Sequence, residues 1–438
     1  ARGRLWAAPF PAGVDRITSL FDGPRRLRRA TEAPFAIPVE PDAVAGGKPR
    51  ELAFPPGAMR RYANLESVEL SIIPRYPWTM NILGIESVDT ERSVAVLDND
   101  PIYPLARTQH GLRDQVWVQN VFAALREPGT WVSDNRARLL YLWPESAAPS
   151  EGIVVPCLRE LVRIEGEVDP RGTDVPVTGI VLRGLTFTHG ARDTWDQGYA
   201  GTGLQHNWEL YDRANAMVRL RSAAGCAVED CRLVDSASGA IRIDLGCRRN
   251  RVSGCEIAHV GGTGVLLQGY GPGSRDTSRE NEVVDNHIHH VGEDWWHSLA
   301  VFVWQSSSNR IAHNTIHHCP YSGICVTGRV VFDRTGRGEA SRSVRWEEID
   351  EDTEIGETPP EVTRWWYRME RYLHARHNVI EGNDISRVME RLGDGNGIYV
   401  SGCGRGNVVR RNWIHDVYGA GANAMIRTDA FPSETMIK

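Results

Sequence analysis

The chain has 438 residues, 41% of them hydrophobic and 24% charged, with 50 Lys+Arg against 56 Asp+Glu and a formal net charge of −6. This near-neutral balance argues against a nucleic-acid or anionic-membrane surface as the main partner, and no run approaches the ~18–20 apolar residues of a membrane span. With 14 Trp, 12 Tyr and 9 Phe the chain has too much core-forming material to be disordered.

Residues 1 to about 150 read as a small, mostly β accessory domain. Short alternating runs such as Ser67–Ile72 and Ser93–Leu97 predict strands, separated by Pro-rich joints at Pro38–Pro41 and Pro55-Pro56. Gln119–Leu125 predicts a short helix, and Trp131-Val132 with Leu139–Trp143 predicts a hairpin leading onward. The first residues, Ala1-Arg-Gly-Arg-Leu5, do not have the composition of a signal peptide.

Residues 151–438 are governed by a repeat. An apolar residue, two spacers, Cys or Asn, one spacer and then Ile or Leu recur with Cys231, Cys255, Asn286, Asn314, Asn383 and Asn412 at the fourth position. Successive spacings are 24, 31, 28, 69 and 29 residues, the 69 containing an insertion at about 329–377. A second phrase follows each first one, as in Ile241-Arg-Ile243-Asp244, Val265-Leu-Leu267-Gln268 and Val301-Phe-Val303-Trp304, then Ile324-Cys-Val326-Thr327, Ile398-Tyr-Val400-Ser401 and Ile426-Arg-Thr428-Asp429. Each repeat offers two or three short strands that cannot bury an apolar side alone, so units must stack ~4.8 Å apart with each strand pairing the same strand of the next turn. The expected fold is all-β, a right-handed parallel β-helix in which the repeated Asn forms a corner ladder. Within the insertion, Val362–His374 has helical spacing and is expected to fold back over one face of the solenoid, whereas Gly269–Ser274 reads as a surface excursion. Of the eight cysteines none makes a CxxC pair, and most fall where the repeat wants a small buried residue, so they read as core thiols.

Stacking aligns outward positions across turns. One row is Asp244, Gln268, Trp304, Thr327, Ser401 and Asp429; the row two residues earlier is Arg242, Leu266, Phe302, Cys325, Tyr399 and Arg427. Carboxylate, amide, hydroxyl and aromatic groups on one long face suit an extended glycan. Asp394, in Leu392-Gly-Asp-Gly-Asn-Gly397, and Asp429 are the candidate catalytic pair, because glycoside hydrolysis needs one carboxylic acid for the leaving oxygen and a second carboxylate as nucleophile or base. Candidate substrate-binding residues are Tyr399, Arg427, Trp304, His415, Trp296 and Gln305; two adjacent tryptophans, Trp295-Trp296, are not expected both to point inward. Histidines recur after the first phrase (His259, His289-His290, His317-His318, His415). They could supply three imidazoles to a metal, but the preferred reading is a ladder of stacked rings bonding backbone carbonyls, so no metal ligand is assigned.

The chain resembles the bacterial β-helix proteins of carbohydrate metabolism, with a pectate-lyase-like solenoid, and is most similar to glycoside hydrolase family 141. The resemblance rests on Leu5-Trp-Ala-Ala, Val118–Leu125, Gly129–Val132, Leu139–Pro144, Leu182–Phe187, Gln305–Asn314 and Pro320–Ile324. It implies a small inserted domain, activity on plant-type or other complex glycans, and an acid pair falling on Asp394 and Asp429. Two departures are that Ala-Phe-Pro follows Asp429, where a polar or acidic residue is expected, and that the closing turns of a solenoid do not follow.

The expectation is a glycoside hydrolase using two aspartates, with a polysaccharide or oligosaccharide substrate, no cofactor, and a secreted or extracytoplasmic location. The alternatives are a polysaccharide lyase or epimerase, for which calcium is the expected neutralising cation, and a non-catalytic glycan-binding solenoid. Only Lys48 and Lys438 are lysines, so a lysine base within the repeats is excluded, which weakens the lyase reading. Arg242, Arg427, Tyr399 and the histidines keep it open.

Overall fold

A computed structural model describes residues 5–40, 50–169, 174–193, 212–336, 340–350, 362–421, 424–429 and 434–438. By contacts the chain divides into two compact units. The first is Ala1–Cys157 with Ala191–Gly203 and Leu392–Asp394; the second is Leu158–Gly190, Leu204–Arg391 and Gly395–Lys438. No described helix is long and apolar enough to cross a membrane.

In the first unit a five-stranded antiparallel sheet runs in the order Glu51–Ala53, Val94–Leu97, Asn81–Asp89, Glu69–Ile72, Val116–Gln119. Its inward residues, among them Leu70, Ile72, Leu83, Val116 and Val118, pack with Ile37, Leu52 and Phe54 into one core. The expected hairpin forms: Thr130–Asp134 pairs antiparallel with Leu139–Trp143. The expected helix over Gln119–Leu125 does not. Gln119 ends a strand, Asn120 takes a left-handed φ of 65°, and only Phe122–Ala124 turns, as a single 3₁₀ turn. The Asn120 amide nitrogen instead donates to the carbonyls of Ser67 and Ser133, each at 2.8 Å, so a tertiary use of the side chain overrides the local helical pattern. Glu69 is buried with Arg29 and Arg192, and Arg192 Nη2 donates to Glu69 Oε1 at 2.7 Å.

The second unit is a parallel β-helix, as the repeat requires. Its first sheet has eight strands in chain order: Val162–Glu165, Ala216–Arg221, Gly239–Ile243, Val265–Gln268, Val301–Trp304, Ile324–Thr327, Asn396–Ser401 and Ala424–Asp429. A second sheet of eight begins at Val181–Arg183 and ends at Met436–Ile437, and a third of seven runs from Thr186–Phe187 to Trp413–Ile414. Each turn visits the three sheets in succession, so every pairing is parallel and between consecutive turns. Parallel crossovers of this kind are right-handed in nearly all cases. The registers stack like on like: Ile241 on Val265, Val301, Ile324, Ile398 and Ile426 in the first sheet, and Leu233 on Ile257, Ile288, Ile316 and Ile385 in the third. The third-sheet ladder is fully buried, and each such residue contributes about 1.5–3 kcal/mol of transfer free energy.

Two asparagine columns hold the corners. In the expected one, each amide oxygen accepts the backbone N–H of the preceding turn's residue: Cys255 to Asn286 at 3.0 Å, Asn286 to Asn314 at 3.1 Å, Asn314 to Asn383 at 3.0 Å and Asn383 to Asn412 at 3.0 Å. A second column, Asn250, Asn281, Asn309, Asn378 and Asn407, repeats the same bonds. Seven cysteines are buried free thiols and Cys157 is exposed, in keeping with thiols filling repeat positions.

The insertion carries a helix at Val362–Met369 followed by a 3₁₀ turn at Glu370–Tyr372, and it does return to the solenoid. Trp366 Nε1 donates to the Cys403 carbonyl at 2.9 Å, and the Arg345 guanidinium lies over the Tyr270 ring at 4.1 Å. This corrects the reading of Gly269–Ser274 as a surface excursion. Gly269 to Gly273 are buried, because the insertion lies over them and His374 Nε2 meets the Gly273 carbonyl at 2.8 Å.

Candidate active site

Strand stacking builds one polar constellation at the end of the first sheet. The strands Asn396–Ser401 and Ala424–Asp429 pair with Tyr399 opposite Arg427 and Ser401 opposite Asp429. Side chains two apart on a strand share a face, so Tyr399, Arg427 and Asp429 meet. The Tyr399 hydroxyl donates to Asp429 Oδ2 at 2.7 Å, and Arg427 Nη2 donates to the same oxygen at 3.2 Å. The Arg427 guanidinium also lies 5.9 Å from the centroid of the Tyr399 ring. Tyr399 is buried, while the Asp429 side chain is 33% exposed and that of Arg427 27% exposed. Burial pushes the Tyr399 phenol well above its ordinary value; the Ser401 hydroxyl opposes this and Asp429 adds to it. The phenol therefore keeps its proton at neutral pH and acts as a donor, not as a base.

Asp394 lies two residues ahead of the strand Asn396–Ser401, at a left-handed φ of 55° between Gly393 and Gly395. It groups with the first compact unit, whereas Asp429 belongs to the second. The strand register that aligns Tyr399, Arg427 and Asp429 does not extend to it.

The other expected glycan-binding residues do not join this constellation. Trp304 sits on the expected row, opposite Gln268 and Thr327, but is only 1% exposed. Gln305 is buried and spent on the insertion: its Nε2 donates to the Gly328 carbonyl at 2.8 Å and its Oε1 accepts from the His374 N–H at 2.7 Å. The Trp295-Trp296 platform is corrected too, since both rings and His297 are buried. The segment is a turn, with the Ser298 N–H on the Trp295 carbonyl at 2.9 Å, so the in–out alternation of a strand does not apply there; Arg391 stacks on Trp296 at 4.8 Å. His415 follows the last strand of the third sheet, not the first, and stands between Asp384 at 3.5 Å and Asp416 at 3.0 Å with its ring 4.6 Å from Trp413.

Arg242, a possible contributor to lyase chemistry, is fully buried and structural. Its Nε donates to Asp244 Oδ2 at 2.8 Å and its Nη1 to Asn215 Oδ1 at 2.9 Å, while Arg219 Nη2 reaches the same Asp244 oxygen at 2.7 Å. Sequence reasoning did not see the partners Arg219, Asp212 and Asn215, which precede the first complete repeat phrase; Arg219 lies one turn below Arg242 in the same register.

The histidines stack across turns as expected, but their ring nitrogens face one another and not backbone carbonyls. Among the described residues, the ligand sets able to hold a metal are all imidazole. Such sets suit borderline transition metals and not calcium, which takes oxygen ligands.

The family model described as "Right handed beta helix region" matches residues 183–334. No curated protein sequence matches the chain. Among solved structures, the chain is similar to a "Glycoside hydrolase" at 18% identity and a TM-score of 0.66, covering 100% of this chain and 80% of that one. Lesser similarity extends to "The complex structure of XylC with xylose", with 12% identity, TM-score 0.36 and coverage of 95% and 57%. It extends also to the Azotobacter vinelandii mannuronan C-5 epimerase AlgE4 A-module, with 13% identity, TM-score 0.28 and coverage of 50% and 57%. The first of these shares the fold.

Proposed function

We propose that the protein is a glycoside hydrolase acting on an extended polysaccharide or oligosaccharide outside the cytoplasm. The observation that carries the reading is the Asp429 carboxylate, part-exposed at the end of the first sheet and oriented through one oxygen by Tyr399 and Arg427. Donation from a phenol and a guanidinium favours the ionised carboxylate, which suits the role of nucleophile or base for water. Asp394 is kept as the proposed acid to the leaving oxygen on the sequence pattern alone. No cofactor is required by this chemistry.

The lyase alternative needs a base beside the substrate carboxylate and a cation to neutralise it. Tyr399 is held protonated and Arg242 is sealed in an ion cluster, which favours hydrolysis. The test is incubation with a panel of neutral and acidic glycans. New reducing ends without ultraviolet-absorbing unsaturated uronate support hydrolysis. Unsaturated product abolished by chelator would replace the reading with a lyase, and binding without turnover would replace it with a glycan-binding solenoid.

A further inference from the structure

The ends of the third-sheet strands carry a column of residues at left-handed φ, one per turn: His189 (58°), Asp235 (51°), His259 (53°), His290 (49°), His318 (53°), Arg387 (49°) and Asp416 (50°). A left-handed residue turns the chain sharply and throws its side chain back beside that of the preceding residue. Asn and Gly would fulfil the turn with less strain, yet three successive turns carry histidine. In the next position inward, His289 pairs in register with His317. The rings form two parallel stacks, His259 on His290 at 4.6 Å and His290 on His318 at 4.4 Å in one, His289 on His317 at 4.7 Å in the other.

Nitrogens converge between the stacks. His289 Nδ1 meets His290 Nδ1 at 2.8 Å, His317 Nδ1 meets His318 Nδ1 at 2.6 Å, and His287 Nε2 meets His317 Nε2 at 2.8 Å. Each contact needs one N–H and one lone pair. Arg387, which can only donate, approaches His318 Nε2 at 3.1 Å and so fixes its lone pair there, leaving Nδ1–H to donate to His317. A backbone-bonded ladder needs none of these ring-to-ring contacts; an ion bound among them takes the place of the shared protons, and His318, whose Nε2 accepts from Arg387, joins only with loss of its Nδ1 proton. One ring nitrogen from each of His259, His289 and His290 lies within 4.8 Å of the others, and the same holds for His290, His317 and His318. Glu293 Oε1 accepts from His259 Nδ1 at 2.9 Å, the carboxylate–imidazole relay that commonly orients a metal-bound histidine.

We propose that this column is a binding site for one borderline divalent transition metal of the zinc class, centred on His290 and completed by imidazoles of the turns on either side. The site is part-exposed, so an ion enters from solvent without unfolding. It lies at the third sheet, separate from the Asp429 constellation on the first, and does not rest on the proposed glycosidase activity.

The test is isothermal titration of the untagged, EDTA-stripped full chain with zinc chloride at pH 7.5, in a Cys157→Ser background because Cys157 is the exposed thiol. The expected result is saturable binding of one ion per chain. His290→Asn, which retains a residue tolerant of left-handed φ, should weaken it at least 100-fold with unchanged melting of the metal-free protein. His259→Asn and His318→Asn identify which flanking imidazole completes the set, and at least one should weaken binding tenfold or more. Cobalt chloride should give the visible absorption of a nitrogen-ligated ion, lost in His290→Asn. Absence of saturable zinc binding in the parent chain, or binding undiminished by His290→Asn, overturns the proposal.

Discussion

Replacing Tyr399 by Phe removes one atom from the proposed active site and separates catalysis from folding. The hydroxyl donates to Asp429 Oδ2 at 2.7 Å, while Arg427 holds the same oxygen at the longer distance of 3.2 Å. A hydrogen bond to a charged group contributes about 1.5–3 kcal/mol. If that bond aims the reacting carboxylate, its loss raises the barrier by the same amount, or roughly 10- to 150-fold in kcat, with KM little changed. The cost to folding is smaller. The Phe ring fills the same buried volume, and the Asp429 side chain, 33% exposed and still bonded to Arg427, is rehydrated, so the stability loss should stay below about 1 kcal/mol. Steady-state kinetics on the glycan found active in the panel, paired with urea unfolding of the same preparation, reads both quantities. A kcat within twofold of the parent would refute the positioning role; a fall in kcat matched by a loss of stability of several kcal/mol would show that the bond is structural.

Further predictions concern the scaffold. Asn314→Ala removes the acceptor of the Asn286 N–H (3.1 Å) and amide (2.9 Å) and the donor to the Val283 carbonyl (2.9 Å), so stability should fall by about 3 kcal/mol in urea unfolding. A loss under about 1 kcal/mol would show that the ladder is not a main source of corner stability. In the first unit, burial alone would raise the Glu69 carboxyl, but Arg192, Arg29 and Arg16 outweigh it and hold the group well below 4.5. Its stabilisation is therefore complete above about pH 4.5 and is lost as pH falls through the depressed folded value. Glu69→Gln, which strands two buried guanidinium groups, should cost about 3–5 kcal/mol at pH 7 and flatten the acid limb of stability against pH; an unchanged limb would contradict the assignment.

The solenoid was legible because its determinants are periodic. Apolar positions, the corner Asn and the outward rows recur with the turn, and the registers that pair Phe302 with Cys325 and Tyr399 with Arg427 follow from aligning the phrases. The second asparagine column had a readable signal, since Asn281, Asn309, Asn378 and Asn407 each precede the expected column's asparagine by five residues. What periodicity cannot convey is coverage. Outward residues such as Trp304 and Phe302 look exposed from strand alternation, yet both are buried, and Gln305 is consumed by His374 of an insertion about 70 residues away in sequence. Trp296 was misread because alternation was applied to a turn. In the histidine column the sequence revealed the stacking, but which atoms the ring nitrogens meet depends on the left-handed backbone at His290 and His318, which local composition does not announce.

Turnover by Asp429→Asn, on whichever glycan the parent chain cleaves, tests the central claim most directly. The substitution keeps the shape of the side chain and an oxygen for Tyr399 to bond, while removing the negative charge that attack on the sugar or on water requires. The account predicts a fall in kcat of at least 1000-fold with the melting temperature close to that of the parent, and parental turnover by this variant would contradict it.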